Sequence, residues 1–176
     1  MIDFSRNHFA LFGLPARYRI DAAALDTAYR ALQTEVHPDR FAGASDAERR
    51  LALQSSARVN EAYGALKAPV ARAQYLLGLH AVDAVDERDT ALDIDFLERQ
   101  LERREAAEDA KAAGDVRTLG SLHDAALAES RELEQALARD LDREGANYVA
   151  AKPRVRELAF LVKLADDLDA MIAALD

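Results

Sequence analysis

The chain is 176 residues long, half hydrophobic, 6% aromatic and 31% charged, with a formal net charge of −9. That length suits one large domain or two small ones, and the negative balance excludes a general binder of nucleic acid or anionic membrane, since both need positive surface. Cysteine is absent, which removes disulfides, thiolate metal sites, iron–sulfur ligation and cysteine nucleophiles together.

Met1-Ile2-Asp3-Phe4 has no basic stretch leading into an apolar one. No apolar run approaches the roughly 20 residues that span a bilayer, so a cytoplasmic protein is the expectation. Alanine, leucine, glutamate and arginine dominate, which favours helix over sheet.

In chain order, a short helical turn is predicted from Asn7 to Phe12, stopped by Gly13-Leu14-Pro15. Asp21 is a good N-cap for a helix to about Val36, with Leu25, Tyr29, Leu32 and Val36 as one buried stripe. Pro38 ends that helix and pushes His37 toward extended backbone. Ser45 and Glu48 have capping-box spacing and start a helix carrying Leu51, Val59, Ala62 and Leu66 on its period. Pro69 closes it and can open a short helix, Val70 to Leu77, ending at Gly78.

Residues 81–92 lack a helical stripe and form the expected linker. Three long helices follow. The first runs from about Asp93 to Ala113 and stops at Gly114. The second takes Asp115 as N-cap and carries Val116, Leu119, Leu122, Ala126, Leu133, Leu137 and Leu141 to Gly145. The third begins near Asn147 or at Pro153 and buries Leu158, Leu161, Val162, Ala165, Leu168 and Ile172. Short breaks between long amphipathic helices predict an antiparallel three-helix bundle. The expected fold is all-α: a unit over 1–80, the linker, and a bundle over 93–176.

Two places in this arrangement look like interaction points. At the turn between the first two long helices, His37-Pro38-Asp39 presents a free imidazole, a proline that pre-organises both neighbours and a carboxylate suited to a bidentate arginine. Arg30 and Arg40 are the nearby bases, with Arg17 and Arg19 further candidates. In the bundle, Leu97 and Leu101 stack at i, i+4 beside an acidic stripe of Glu98, Glu102 and Glu105. Phe160 lies about 110° from the centre of its helix's apolar stripe, and a large aromatic off the core is a candidate anchor. The plainer alternatives are a proline-stopped helical turn, and core leucines with a solvated acidic face.

A helix, His-Pro-Asp and a second antiparallel helix resemble the J-domain of DnaJ-type co-chaperones. Leu11-Phe12-Gly13-Leu14 and Asn60-Glu61-Ala62-Tyr63 match its two ends. The chain then continues Arg72-Ala73-Gln74-Tyr75-Leu76-Leu77, and later Phe96-Leu97-Glu98-Arg99-Gln100-Leu101-Glu102-Arg103-Arg104-Glu105. Both runs resemble the HscB family, the J-type co-chaperones of iron–sulfur cluster assembly, as do Phe4, Leu14-Pro15-Ala16-Arg17-Tyr18 and Val155-Arg156-Glu157-Leu158.

The resemblance implies that His37, Pro38, Asp39, Arg30 and Arg40 engage a DnaK-type ATPase, HscA, and stimulate it. It likewise implies that Leu97, Leu101, Glu102, Glu105 and Phe160 hold the cluster scaffold protein IscU. No reaction, cofactor or metal site of its own is implied. The sequence departs from the family at three points. Thr34, Glu35 and Asp26 thin the basic face of the helix before the motif, Glu98 replaces an apolar residue, and Pro153 interrupts the last helix. A generic J-protein or a helical adaptor for another client stays open as the alternative. An enzyme does not, because no Gly-rich phosphate loop, serine nucleophile motif or His-Glu-x-x-His is present, and His8, His37, His80 and His123 have no zinc spacing.

Overall fold

A computed structural model describes residues 2–83 and 92–175; among them every regular element is helical. The helices are α1 (His8–Leu11), α2 (Ala22–Val36), α3 (Asp46–Lys67), α4 (Pro69–Leu79), α5 (Ile94–Ala113), α6 (Val116–Leu141) and α7 (Tyr148–Ala173), with a 3-10 turn, Pro38–Phe41, after α2. They form two compact units, Met1–Leu79 and His80–Asp176. Most of the expected linker, residues 84–91, lies outside the described residues.

Local chemistry sets the ends of the N-terminal helices. Asn7 caps α1, and the Asp21 carboxylate accepts from the backbone amides of Ala23 and Ala24 at the start of α2. The capping box at α3 is complete: Ser45 accepts from the Glu48 amide, and Glu48 accepts from the Ser45 amide at 2.9 Å. Each cap satisfies amides that the first helical turn leaves without a carbonyl.

The α2–α3 hairpin is pinned by aromatics at its middle. Tyr29 and Tyr63 stack with ring centroids 3.9 Å apart, Tyr63 donates to Asp26 at 2.8 Å, and Tyr29 donates to Asn60 at 3.0 Å. Arg72 explains the start of the Arg-Ala-Gln-Tyr run. Its buried guanidinium donates to the carbonyl of Leu66 at 2.6 Å and lies 5.0 Å over the Tyr18 ring. A carbonyl that the end of α3 leaves open is thereby satisfied inside the core.

The expected helix over 70–77 is longer than its sequence signals. Pro69 is its first residue, but it runs through Gly78 to Leu79. Glycine weakens a helix by only about 1 kcal/mol relative to alanine, and the buried Leu76 and Leu77 just before it hold the last turn.

In the second unit, α5, α6 and α7 pack as a three-helix bundle around Ala107, Ala110, Leu119, Ala126, Leu164, Ala165 and Leu168. Gly114 takes a φ of +66° to end α5 in the left-handed region, where glycine carries no Cβ penalty. Arg103 pairs with Glu129 at 2.6 Å across α5 and α6, and Arg154 pairs with Asp140 at 2.6 Å across α7 and α6.

Two expectations need correction here. Helix α6 ends at Leu141 rather than near Gly145, and Val116 is exposed instead of buried. Of the two starts expected for the last helix, the one near Asn147 holds: Asn147 caps it and it begins at Tyr148, not at Pro153. Pro153 falls in its second turn, where the proline removes one internal hydrogen bond.

Candidate partner-binding sites

The turn at residues 37–39 is built from its own backbone. His37 has φ −59° and ψ 126°, the extended geometry expected before proline. Pro38 opens the 3-10 turn, a position where its missing N–H costs nothing. The imidazole is not free, as the sequence reading had it. Its Nδ1 accepts from the Asp39 amide at 3.3 Å and lies 3.6 Å from the Asp39 carboxylate. The ring is therefore held by the turn, while the Asp39 side chain is 90% exposed.

Arg40 also serves the turn, donating to the carbonyl of Thr34 in the last turn of α2 at 3.2 Å. Arg30 is exposed on α2. Seven residues before His37 is nearly two full turns, which puts it on the same helix face. Asp26, which thins the basic face by sequence, is a carboxylate held by Tyr63. Lys67 donates to that same Tyr63 hydroxyl, which with the nearby Asp26 keeps its ammonium above the usual lysine range.

In the bundle, Leu97, Leu101 and Phe160 meet around one depression of about 160 Å³, completed by Gln100 and Arg104. Leu97 is 43% and Leu101 60% exposed, so neither is a core residue. Phe160 differs from the expectation of an aromatic off the core. It is half-buried, and its ring meets the buried Phe96 ring edge-on with centroids 5.8 Å apart. It packs α7 against α5 through Phe96 and also lines the depression.

Glu102 and Glu105 are exposed on α5 but do not line the depression. They sit about 80–140° around the helix from Leu97, as a rim. One turn before Phe160, half-buried Glu157 is pushed above the usual carboxylate range by burial, with Asp93 and Glu129 adding to the rise and Arg154 and Arg99 opposing it.

The sequence reading missed two residues of this face. Ile94, 71% exposed, lies within about 60° of Leu97 and Leu101 on the α5 wheel and extends the apolar stripe by a turn. Its spacing from Leu97 and Leu101, i+3 and i+7, was the available signal. Gln100, only 2% exposed, lies at the inner edge of the depression. Among the described residues no group of three or more His, Asp or Glu is placed to hold a metal ion, and no helix is long and apolar enough to cross a membrane.

Residues 92–169 match the family described as the HSCB C-terminal oligomerisation domain. A co-chaperone protein HscB homolog from Azoarcus sp. (strain BH72) is 47% identical over 99% of this chain and 98% of its own length. The chain belongs to the HscB co-chaperone family. Its fold agrees with that of chaperone HscB from Vibrio cholerae, at a TM-score of 0.85 and 34% identity over 97% of this chain and 100% of the other. Human co-chaperone protein HscB superposes with a TM-score of 0.86 at 26% identity, over 96% of this chain and 83% of that one. A J-type helical hairpin followed by a helical bundle is thus the shared architecture.

Proposed function

We propose that this co-chaperone works in cytoplasmic iron–sulfur cluster assembly, bringing the scaffold protein IscU to the DnaK-type chaperone HscA and stimulating its ATPase. The N-terminal unit engages the ATPase through His37, Pro38 and Asp39, with Arg30 and Arg40 steering the encounter. A carboxylate on a turn fixed by proline is well prepared for a bidentate arginine. The second unit holds the scaffold on Leu97, Leu101 and Phe160, with Glu102 and Glu105 as a rim for basic residues. It carries out no covalent chemistry, and the cluster is cargo of the scaffold.

The observation that carries this reading is the convergence of Leu97, Leu101 and Phe160 on one open depression. The two leucines remain exposed although they lie on a helix with a buried face available. An apolar patch with a charged rim suits a folded partner with a complementary patch. The test is the ATPase rate of HscA with this protein, with and without IscU. A rise far beyond the sum of the separate effects is expected. An equal rise when an unfolded polypeptide replaces IscU would favour a generic J-protein.

A further inference from the structure

The depression between α5 and α7 has a polar donor at its edge that its apolar lining does not explain. Gln100 is 2% exposed, and its Nε2 finds no hydrogen-bond partner among the described residues. The orientation of the amide is set from the other side. Arg103 donates to Gln100 Oε1 at 3.3 Å, and the same guanidinium is fixed by Glu129 at 2.6 Å. Turning the amide over would set an NH₂ group against a guanidinium N–H, donor against donor. The unsatisfied group is therefore the NH₂, on the side away from Arg103.

A buried donor with no acceptor destabilises a fold, and a methionine or leucine here would avoid that. Gln100 shares its depression with Leu97, Leu101, Arg104 and Phe160. Leu101 is 60% exposed and Phe160 half-buried, so each can change rotamer when a partner docks, and a partner that reaches the amide would do so through such a change. On the rim, Glu102 and Glu105 are acceptors, whereas the depression offers only donors, from Gln100 and Arg104.

We propose that Gln100 is a specificity-determining residue of this face, its Nε2 donating to a backbone carbonyl of the docked protein. The partner then presents an apolar side chain to Leu97, Leu101 and Phe160, with an open carbonyl beside it. An exposed loop or the last turn of a helix supplies such a carbonyl, whereas a helix interior does not. This rests on the proposed scaffold-binding face and specifies what the scaffold must present there.

The test uses full-length protein, purified IscU, and the variants Gln100→Met and Leu97→Ala. Gln100→Met should melt at the same temperature or higher, yet bind IscU on the order of ten-fold more weakly, since the carbonyl loses its donor. If Leu97→Ala weakens binding while Gln100→Met binds as tightly as the parent, the inference is overturned and the face stands. If Leu97→Ala also binds unchanged, the face itself is wrong and the inference goes with it. A second measurement needs no substitution. In ¹⁵N-labelled parent protein, the Gln100 side-chain NH₂ signal should move downfield and exchange more slowly when IscU is saturating. No change there, alongside a shifted Leu97 backbone amide signal, would equally refute the donor role.

Discussion

The turn of the N-terminal unit and the face of the second unit are built in opposite ways. His37, Pro38 and Asp39 are consecutive, and their geometry comes from bonds spanning two to six residues. Leu101 and Phe160 are distant in sequence and share a depression only because α5 packs on α7. A contiguous site is as stable as its own turn, and its side chains can change without disturbing the core. An assembled site depends on the packing beneath it, so its anchors divide into those that only bind and those that also support the fold.

The largest effect expected from this contrast lies in the turn. His37→Gln and Asp39→Asn should each reduce stimulation of the chaperone ATPase to the unstimulated rate, with helicity and scaffold binding unchanged by circular dichroism and calorimetry. A loss of helicity in either variant would mean that the turn is a fold element as well.

Arg72 sharpens the same comparison inside the N-terminal unit, where a local hydrogen bond is buried. Arg72→Ala should destabilise the protein by about 2–3 kcal/mol in denaturant unfolding, because it strands the Leu66 carbonyl and exposes Tyr18. A surface-like change under about 0.5 kcal/mol would show that water replaces the guanidinium freely.

The anchors of the assembled face should separate. Leu97→Ala and Leu101→Ala are expected to weaken scaffold binding by about 1–2 kcal/mol with little change in melting, as for exposed hot-spot residues. Phe160→Ala should lower affinity and melting together, since its ring packs on Phe96. If Phe160→Ala melts like the parent, its contact with Phe96 contributes nothing to the fold.

The smallest effect is a pH dependence confined to the N-terminal unit. His8 is 4% exposed and stacked on Tyr75 at 4.0 Å. Burial first, then Arg58, lowers its pKa below the usual histidine value, against an upward pull from Glu61. The folded state thus favours the neutral ring. Its contribution is complete above the unfolded value of about 6.5 and is lost as pH falls from there through the lower folded value. Thermal unfolding should fall between pH 7 and 5, and His8→Phe should flatten that slope. An unchanged slope in His8→Phe would place the sensitivity elsewhere.

Much of the fold is legible in the sequence because its signals are local. Asp21, the Ser45–Glu48 box, Asp115 and Gly114 each act within four residues, and each marks a helix end where the sequence reads it. What escapes depends on neighbours. Periodicity assigns Val116 a face, but as the first residue of α6 it stays exposed. The same holds for Ile94, the first residue of α5, which is 71% exposed. The exposure of Leu97 and Leu101 and the half-burial of Phe160 become visible only once α7 is in place. The bond from the Asp39 amide to His37 needs the 3-10 turn, which proline alone does not specify.

In the proposed function, ATPase stimulation and scaffold capture reside on separate residues and are coupled only through delivery. The direct measurement is the steady-state ATPase rate of HscA with the parent, Asp39→Asn and Leu97→Ala/Leu101→Ala, each at saturating and at zero IscU. Asp39→Asn should give the unstimulated rate with IscU-only enhancement. The double leucine variant should stimulate normally alone and lose the synergy with IscU. A double leucine variant that loses stimulation without IscU, while remaining folded, would contradict the claim.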